Sequence, residues 1–255
     1  MFWTDAGGLT PWGQALLASW LAGLATGLGG LLVVLLPHLS RRVYDALLGF
    51  SGGVMLSAAA LTLLWPALTR GGIASVTLGL FAGGAMILLL ERSVPHLEPH
   101  FAPQLNGPGA RLGLLLAAAI TLHNLPEGLS VGVAFAPGTG RFGLVVALAI
   151  ALQNIPEGLA VATPVRAAGA SRLAAVLWAT GSGMAEPIAA AVGYHLVSTV
   201  QTLVPFALAF AAGAMVFVVS DQIIPESHRQ PSDKAPSLAL LLGFLLVALL
   251  VRLLS

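Results

Sequence analysis

The sequence predicts an all-α, polytopic membrane protein with eight transmembrane helices. Of its 255 residues, 57% are hydrophobic and only 8% are charged, whereas a soluble domain carries about 25% charged residues. The apolar residues are gathered into eight long stretches, and roughly 20 apolar residues in a helix cross the hydrocarbon core of a bilayer. The chain has too few charges to cover a surface facing water, so we expect a single membrane domain over residues 1–255.

The predicted helices follow one another with short connections that are marked by proline, glycine and charged residues. They cover residues 12–36, 44–68, 73–94, 111–136, 141–165, 172–200, 204–225 and 236–255. The first is not interpreted as a cleaved signal peptide, because Asp5 and no basic residue precede an apolar run that is too long for one. The longest connections are expected at residues 91–111 and 226–235.

The basic residues predict the orientation of these helices. If the N-terminus lies outside, eight Lys or Arg residues fall on the inner side and three on the outer side, which follows the positive-inside rule. The inner set is Arg41, Arg42, Arg92, Arg111, Arg166, Arg172, Arg229 and Lys234, and the outer set is Arg70, Arg141 and Arg252. We therefore expect a multi-pass protein of the cell (inner) membrane with both termini extracytoplasmic.

Net charge and cysteine content exclude some kinds of partner and of metal site. The formal net charge of +1 gives no reason to expect a nucleic-acid partner. The apolar helices predict that the lipid bilayer surrounds the chain. With no cysteine, the chain has no disulfides, iron–sulfur clusters or thiolate metal ligands.

A heptapeptide near the middle of the fourth predicted helix recurs near the middle of the fifth. The copies are His123-Asn124-Leu125-Pro126-Glu127-Gly128-Leu129 and Gln153-Asn154-Ile155-Pro156-Glu157-Gly158-Leu159. Between residues 122–131 and 152–161, seven of ten positions are identical. Consecutive membrane helices run antiparallel, so the two copies imply a pseudo-two-fold axis in the membrane plane. Inverted repeats of this kind place a transporter's binding site near the midplane.

Each copy carries polar side chains on one helical face, because residues three and four apart share a face. These residues are His123, Asn124 and Glu127 in the first copy and Gln153, Asn154 and Glu157 in the second. If the two faces meet, they form a cage of one imidazole, three amide oxygens and two carboxylates. Nitrogen and oxygen ligands without sulfur suit a divalent first-row metal, Zn²⁺ among them. The alternative interpretation is a structural network of hydrogen bonds between helices.

The prolines of the two copies predict a local break in each helix. Pro126 and Pro156 have no N–H, so the carbonyls of Leu122 and Leu152 lose their usual donors. We expect a kink or a widened turn there, with free carbonyls beside a cavity.

Other polar residues extend the candidate site. Glu186, next to Pro187, is a third carboxylate near mid-membrane. Asp221 and Gln222 lie nearer the inner end of the seventh predicted helix, and we interpret them as an exit step toward the cytoplasm. Weak cation-collecting surfaces are expected in the two longest connections, at Glu91, His96, Glu226 and His228. Ordinary interfacial or solvated residues are the alternative for all four and for the exit pair.

These motifs resemble those of the ZIP (Zrt/Irt-like) family of divalent metal transporters, in particular its prokaryotic GufA-like branch. The resemblance covers nearly the whole chain, and residues 54–57, 65–67, 213–220 and 224–229 also carry it. It implies eight helices in a 3+2+3 arrangement, both termini extracytoplasmic, homodimers, and metal movement toward the cytoplasm. An elevator-like sliding of a four-helix unit has been proposed for such proteins.

The resemblance also implies a binuclear metal centre. One ion would be held by Met55, His123, Glu127, Gln153 and Glu157, and the other by Asn124, Glu127, Asn154, Glu157 and Glu186. Two departures matter. Asn154 stands where prokaryotic relatives often carry Asp, so the second site lacks one negative charge, and Asp221-Gln222 stands where relatives commonly carry a His-Glu pair.

Transport of a divalent metal is the leading hypothesis, and no enzymatic activity is expected. Zn²⁺ is the first candidate, as a substrate rather than a cofactor, and Cd²⁺, Fe²⁺ and Mn²⁺ are the other candidates. An intramembrane metal-dependent hydrolase is the alternative; it needs an open metal position and an activated water, but the chain has no His-Glu-x-x-His motif. A third hypothesis is a proton-coupled carrier of an organic solute. The residues leave metal selectivity and the driving force open.

Overall fold

The computed structural model describes residues 9–36, 39–101, 110–136, 142–230 and 232–254, with the backbone alone described at 94–101, 110–113 and 116. Within these ranges the chain is helical and contains no strand. The helices are α1 (Pro11–Leu35), α2 (Arg41–Arg70), α3 (Ile73–Phe101), α4 (Ala110–Phe135), α5 (Phe142–Ala167), α6 (Arg172–Gly183 and Ala185–Thr199), α7 (Gln201–Ser227) and α8 (Ala235–Leu254).

Six described helices are long and apolar enough to cross a membrane. They are α1, α2, α5, α7, α8 and the Ile73–Ser93 part of α3. The chain is therefore a multi-pass membrane protein. The two parts of α6 are only 12 and 15 residues long, so neither would cross the hydrocarbon core alone at about 1.5 Å of rise per residue.

Side-chain caps explain where several helices begin. Thr10 Oγ1 accepts the amide of Gly13 at 3.2 Å, and Pro11 occupies the first turn of α1. Ser40 caps α2 and Ser171 caps α6 in the same way, with amide-to-hydroxyl distances of 3.3 and 3.1 Å. These hydroxyls satisfy amides that have no partner inside the helix.

Two helices differ from the sequence prediction. The third was predicted to end at residue 94 and its connection to start at 91, but α3 continues to Phe101, so Glu91 lies within a helix. The sixth was predicted as one helix over 172–200, but α6 is interrupted at Met184. Pro187 accounts for the interruption, because its ring clashes with the carbonyl four residues earlier, at Gly183.

Widened turns occur at positions other than those predicted. α4 and α5 remain α-helical through Pro126 and Pro156, since the loss of one hydrogen bond does not force an extra residue into the turn. π-Helical segments instead lie at Ala58–Leu64 in α2 and Val219–Ile223 in α7. A proline, Pro66 or Pro225, lies in the first turn after each segment.

The helices pack in four extensive pairs: α2 with α8, α3 with α7, α1 with α5, and α4 with the second part of α6. Close backbone contacts repeat between the first two pairs. A Cβ built on Gly53 would lie 1.9 Å from the Leu240 carbonyl oxygen, and one on Gly213 would lie 1.9 Å from that of Leu80. Gly53 and Gly213 are 160 positions apart, as are Leu80 and Leu240. Only glycine allows backbones to approach this closely.

Candidate metal site on α4, α5 and α6

The predicted metal-binding residues are all buried in the interior of the helical bundle. None of their side chains is more than 4% exposed. They lie on α2 (Met55), α4 (His123, Asn124 and Glu127), α5 (Gln153, Asn154 and Glu157) and α6 (Glu186). α4 packs against α5 and α6, and α2 packs against α5, so the four helices bring these side chains into one region.

Two amide groups link α4 and α5 to the broken helix and to α1. Asn124 Nδ2 donates to the Ser182 carbonyl at 2.8 Å. Asn154 Nδ2 donates to the Ala22 carbonyl at 2.7 Å and to Glu186 Oε1 at 2.6 Å. Because the nitrogen atoms are held by acceptors, the oxygen atoms of both amides remain as the groups that can bind a cation.

The carboxylates are connected by further hydrogen bonds. Gln153 Nε2 donates to Glu127 Oε1 and also lies 3.3 Å from Asn154 Oδ1. Ser51 Oγ, on α2, lies 3.5 Å from Glu157 Oε1 and 3.4 Å from the Gln153 carbonyl oxygen. Each of the three glutamates therefore uses one carboxylate oxygen in a contact with a donor.

Six further polar atoms of the predicted metal-binding residues are buried without any hydrogen-bond partner. They are His123 Nε2, Asn124 Oδ1, Glu127 Oε2, Gln153 Oε1, Glu157 Oε2 and Glu186 Oε2. One unsatisfied buried polar group costs about 1–3 kcal/mol, and a charged group costs more. All six can act as electron-pair donors, so a positively charged ligand would satisfy them together.

Within the described residues, no three His, Asp or Glu side chains already have the spacing of a metal site. The Gln153 amide accounts for part of this spacing, because its nitrogen donates to Glu127 Oε1 and so occupies one of the carboxylate oxygens. A cation that binds both carboxylates of the repeat would have to displace that amide nitrogen. Met55 is 1% exposed and lies one turn from Ser51 on α2, among apolar core residues.

A cavity of about 750 Å³ extends from this site toward the predicted inner side. Its lining includes the buried His123 and Glu157 and the more exposed Arg41, Glu226 and Arg229. Asp221 and Gln222, the predicted exit pair, line the same cavity. The structure therefore brings three of the predicted pathway residues together with the candidate metal site: Asp221, Gln222 and Glu226.

The remaining pathway residues are placed differently. Glu91 accepts a hydrogen bond from Gln222 Nε2, which joins α3 to α7. His228 Nε2 is 3.0 Å from Ser237 Oγ, and its Nδ1 is 3.0 Å from the Ile224 carbonyl oxygen, so both ring nitrogens have partners. His96 lies where only the backbone is described, and its side chain is outside the described atoms.

Glu226 is held in a network of charges at the cavity mouth. Its Oε1 is 3.1 Å from Arg41 Nη2 and its Oε2 is 2.5 Å from Arg229 Nη2. Arg41 Nε is in turn 2.7 Å from Oδ1 of the buried Asp45. A cation that used Glu226 as a ligand would have to compete with two guanidinium groups.

Sequence reasoning missed Ser51 and the two carbonyl acceptors, Ala22 and Ser182. Ser51 is fully buried in a Ser-Gly-Gly segment of α2, and a buried polar side chain beside small residues is a weak signal that could have been used. A backbone carbonyl carries no such signal, because every residue has one.

Comparisons with known proteins identify the family of this chain. The family described as ZIP Zinc transporter matches residues 104–251. The zinc transporter GufA of Myxococcus xanthus is 40% identical over 250 residues, covering 93% of this chain and 98% of that protein. The zinc transporter ZIPB of Bordetella bronchiseptica is 41% identical over 250 residues, covering 93% and 80%. The zinc transporter ZIP11 of Bos taurus is 33% identical over 330 residues, covering 94% and 97%. The chain belongs to the ZIP family of divalent metal transporters, in its GufA-like branch.

Proposed function

We propose that this protein carries Zn²⁺ toward the cytoplasm through the buried site on α4, α5 and α6. Divalent metal transport follows from the family, and the choice of Zn²⁺ rests on the relatives named zinc transporters. The observation that supports the site is the set of six buried donor atoms without partners. All are nitrogen or oxygen, which suits Zn²⁺ but also other divalent first-row ions.

Two ions in the site would share the glutamates of the repeat. The first would use Met55, His123, Glu127, Gln153 and Glu157, and the second Asn124, Glu127, Asn154, Glu157 and Glu186. The unpartnered His123 Nε2 and Gln153 Oε1 support the first position, and Asn124 Oδ1 and Glu186 Oε2 support the second. Three carboxylates leave a net charge of about −1 with one divalent ion and +1 with two, so binding of the second ion should be weaker.

The chain is proposed to form a 3+2+3 inverted arrangement of eight spans, with both termini extracytoplasmic. In such an inverted repeat α2 corresponds to α7 and α8 corresponds to α3. The contact of α2 with α8 and the contact of α7 with α3 would then be symmetry equivalents, and their matching glycine contacts support the arrangement. The basic residues at the open end of the cavity, Arg41 and Arg229, support a cytoplasmic opening. The homodimer remains a prediction.

The path from the site to the cytoplasm would follow the cavity. An ion leaving Glu157 would next meet Asp221 and Gln222 on the cavity wall, before the Arg41–Glu226–Arg229 network at the mouth. The guanidinium groups at the mouth are paired with Glu226 and Asp45, so they oppose passage of a cation less than two unpaired positive charges would.

The comparisons do not support the hydrolase alternative. The relatives reported above are all named transporters, in agreement with the prediction that the chain is not an enzyme, and the metal is a substrate rather than a resident cofactor. An organic-solute carrier is likewise named by none of them.

Uptake of radioactive zinc into proteoliposomes tests the proposal, with competition by Cd²⁺, Fe²⁺ and Mn²⁺ to rank the metals. Glu127→Gln keeps the shape of the side chain but removes its charge, so we expect loss of saturable uptake. Asp233→Asn is the matched control, because this carboxylate pairs with Arg42 and does not line the cavity. Uptake by Glu127→Gln equal to that of Asp233→Asn would contradict the proposed site.

A further inference from the structure

Thr26 on α1 has a buried hydroxyl group that lacks a partner. Its side chain is 0% exposed and its Oγ1 has no hydrogen bond. Threonines in helices normally donate to a carbonyl of the preceding turn. Thr62 and Thr180 do so in this chain, at 2.7 and 2.8 Å. The Thr26 hydroxyl is therefore left without an acceptor at a cost of about 1–3 kcal/mol, unless a ligand uses it.

Thr26 contacts glycines that lie next to residues of the metal site and its supports. A Cβ built on Gly183 would lie 2.8 Å from Thr26 Oγ1, and one on Gly158 would lie 1.8 Å from the Thr26 carbonyl oxygen. Gly158 follows Glu157, and Gly183 follows Ser182, whose carbonyl accepts the amide of Asn124. Thr26 thus lies at the junction of α1 with α5 and α6.

Contacts of α1 with α5 are repeated by contacts of α6 with α4. Asn154 donates to the carbonyl of residue 22, and Asn124 donates to that of residue 182. The backbone of Gly158 lies against the carbonyl of residue 26, and that of Gly128 lies against the carbonyl of residue 186. The contacted positions are 160 apart in both cases. Thr26 therefore occupies, in one half of the chain, the place that Glu186 occupies in the other.

We infer that Thr26 Oγ1 is a further ligand for the divalent cation, the neutral counterpart of the Glu186 carboxylate. This inference rests on the proposed metal site. A hydroxyl adds an oxygen ligand without a fourth negative charge. A transport site must bind its ion and also release it, and a neutral ligand at this position adds less to the retention of the ion than a fourth carboxylate would.

The test is equilibrium Zn²⁺ binding by the purified protein, measured by calorimetry or by competition with a chelating dye. Thr26→Val replaces the hydroxyl with a methyl group of similar size. We expect it to weaken Zn²⁺ affinity about tenfold, the lower end of the loss that follows removal of one supporting group at a metal site. Thr26→Ser should keep the wild-type affinity and Thr26→Ala should not; these two side chains differ only by the oxygen.

Thr62→Val is the matched control, because Thr62 is also buried but its hydroxyl donates to Ala58. If Thr26→Val binds Zn²⁺ like the wild type, or if Thr26→Val and Thr62→Val weaken binding equally, the inference is wrong. The proposed function fails separately, if wild type and Glu127→Gln bind Zn²⁺ equally or not at all. Weak binding in Thr26→Val and Thr26→Ala, with normal binding in Thr26→Ser and Thr62→Val, supports the ligand assignment.

Discussion

Replacing Asn154 with aspartate should make the stability of the protein depend strongly on metal. The substitution adds a fourth carboxylate to the proposed site. It also exchanges a donor for an acceptor. In the wild type, Asn154 Nδ2 lies 2.7 Å from the Ala22 carbonyl oxygen and 2.6 Å from Glu186 Oε1. Asn154→Asp would leave oxygen facing oxygen at both contacts.

The two lost hydrogen bonds set the size of the effect. A hydrogen bond between neutral groups contributes about 1 kcal/mol and one to a charged acceptor about 1.5–3 kcal/mol. Metal-free Asn154→Asp should therefore be less stable than the wild type by about 3 kcal/mol or more. A divalent cation that lies between the new carboxylate and Glu186 would replace the missing donor. At a free concentration of one hundred times its Kd, a bound ion stabilises a protein by about 2.7 kcal/mol, which would nearly restore the wild-type value.

The assay is denaturant unfolding in detergent, with and without Zn²⁺, together with metal stoichiometry of the purified protein. Asn154→Leu is the matched control, because it loses both hydrogen bonds but gains no charge. We expect both variants to be less stable than the wild type without metal. In Zn²⁺, Asn154→Asp should regain more stability than Asn154→Leu, which keeps only the first ion position, and should hold a second ion more tightly. Equal responses of the two variants to Zn²⁺, or an unchanged stoichiometry in Asn154→Asp, would refute this reasoning.

Two further substitutions test the packing and the charges around the site. Gly158→Ala places a methyl group 1.8 Å from a carbonyl oxygen of α1 and should lower the free energy of unfolding by about 1–3 kcal/mol. Gly181→Ala, whose new methyl group would meet no other part of the described structure within 4 Å, should be neutral or stabilising, and equal losses in the two variants would contradict the close contact. Arg41→Gln leaves the buried Asp45 without its cation and should lower the free energy of unfolding by about 2–3 kcal/mol. Arg42→Gln, at a more exposed ion pair, should lower it by less than about 1 kcal/mol. Chemical unfolding of both variants measures the difference, and similar values would show that the network at the mouth adds little to stability.

Much of the site could be predicted because its residues repeat along the chain. The spacing of Asn124 and Glu127, and of Asn154 and Glu157, places an amide and a carboxylate on one face of each helix whatever the rest of the fold does. The family, confirmed by the relatives, was recognisable from the same residues. The roles of these residues as metal ligands remain predictions.

Other features depended on contacts that no local pattern contains. Pro126 and Pro156 left their helices unbroken, while Pro187 interrupted α6 and the π segments formed before Pro66 and Pro225. Proline removes the same hydrogen bond at each of these positions, so packing around each helix must decide how the loss is accommodated.

The sequence by itself determined the membrane class and the kinds of polar side chain at the candidate site, because both depend on composition and on spacing within a single helix. Only the tertiary structure decided which atoms of those side chains are left without hydrogen-bond partners. Asn124 and Asn154 give their nitrogens to carbonyls on α6 and α1, and Thr26 comes to lie opposite the place of Glu186 across the repeat. These outcomes depend on distances between helices far apart in sequence, and close glycine contacts between backbones set those distances.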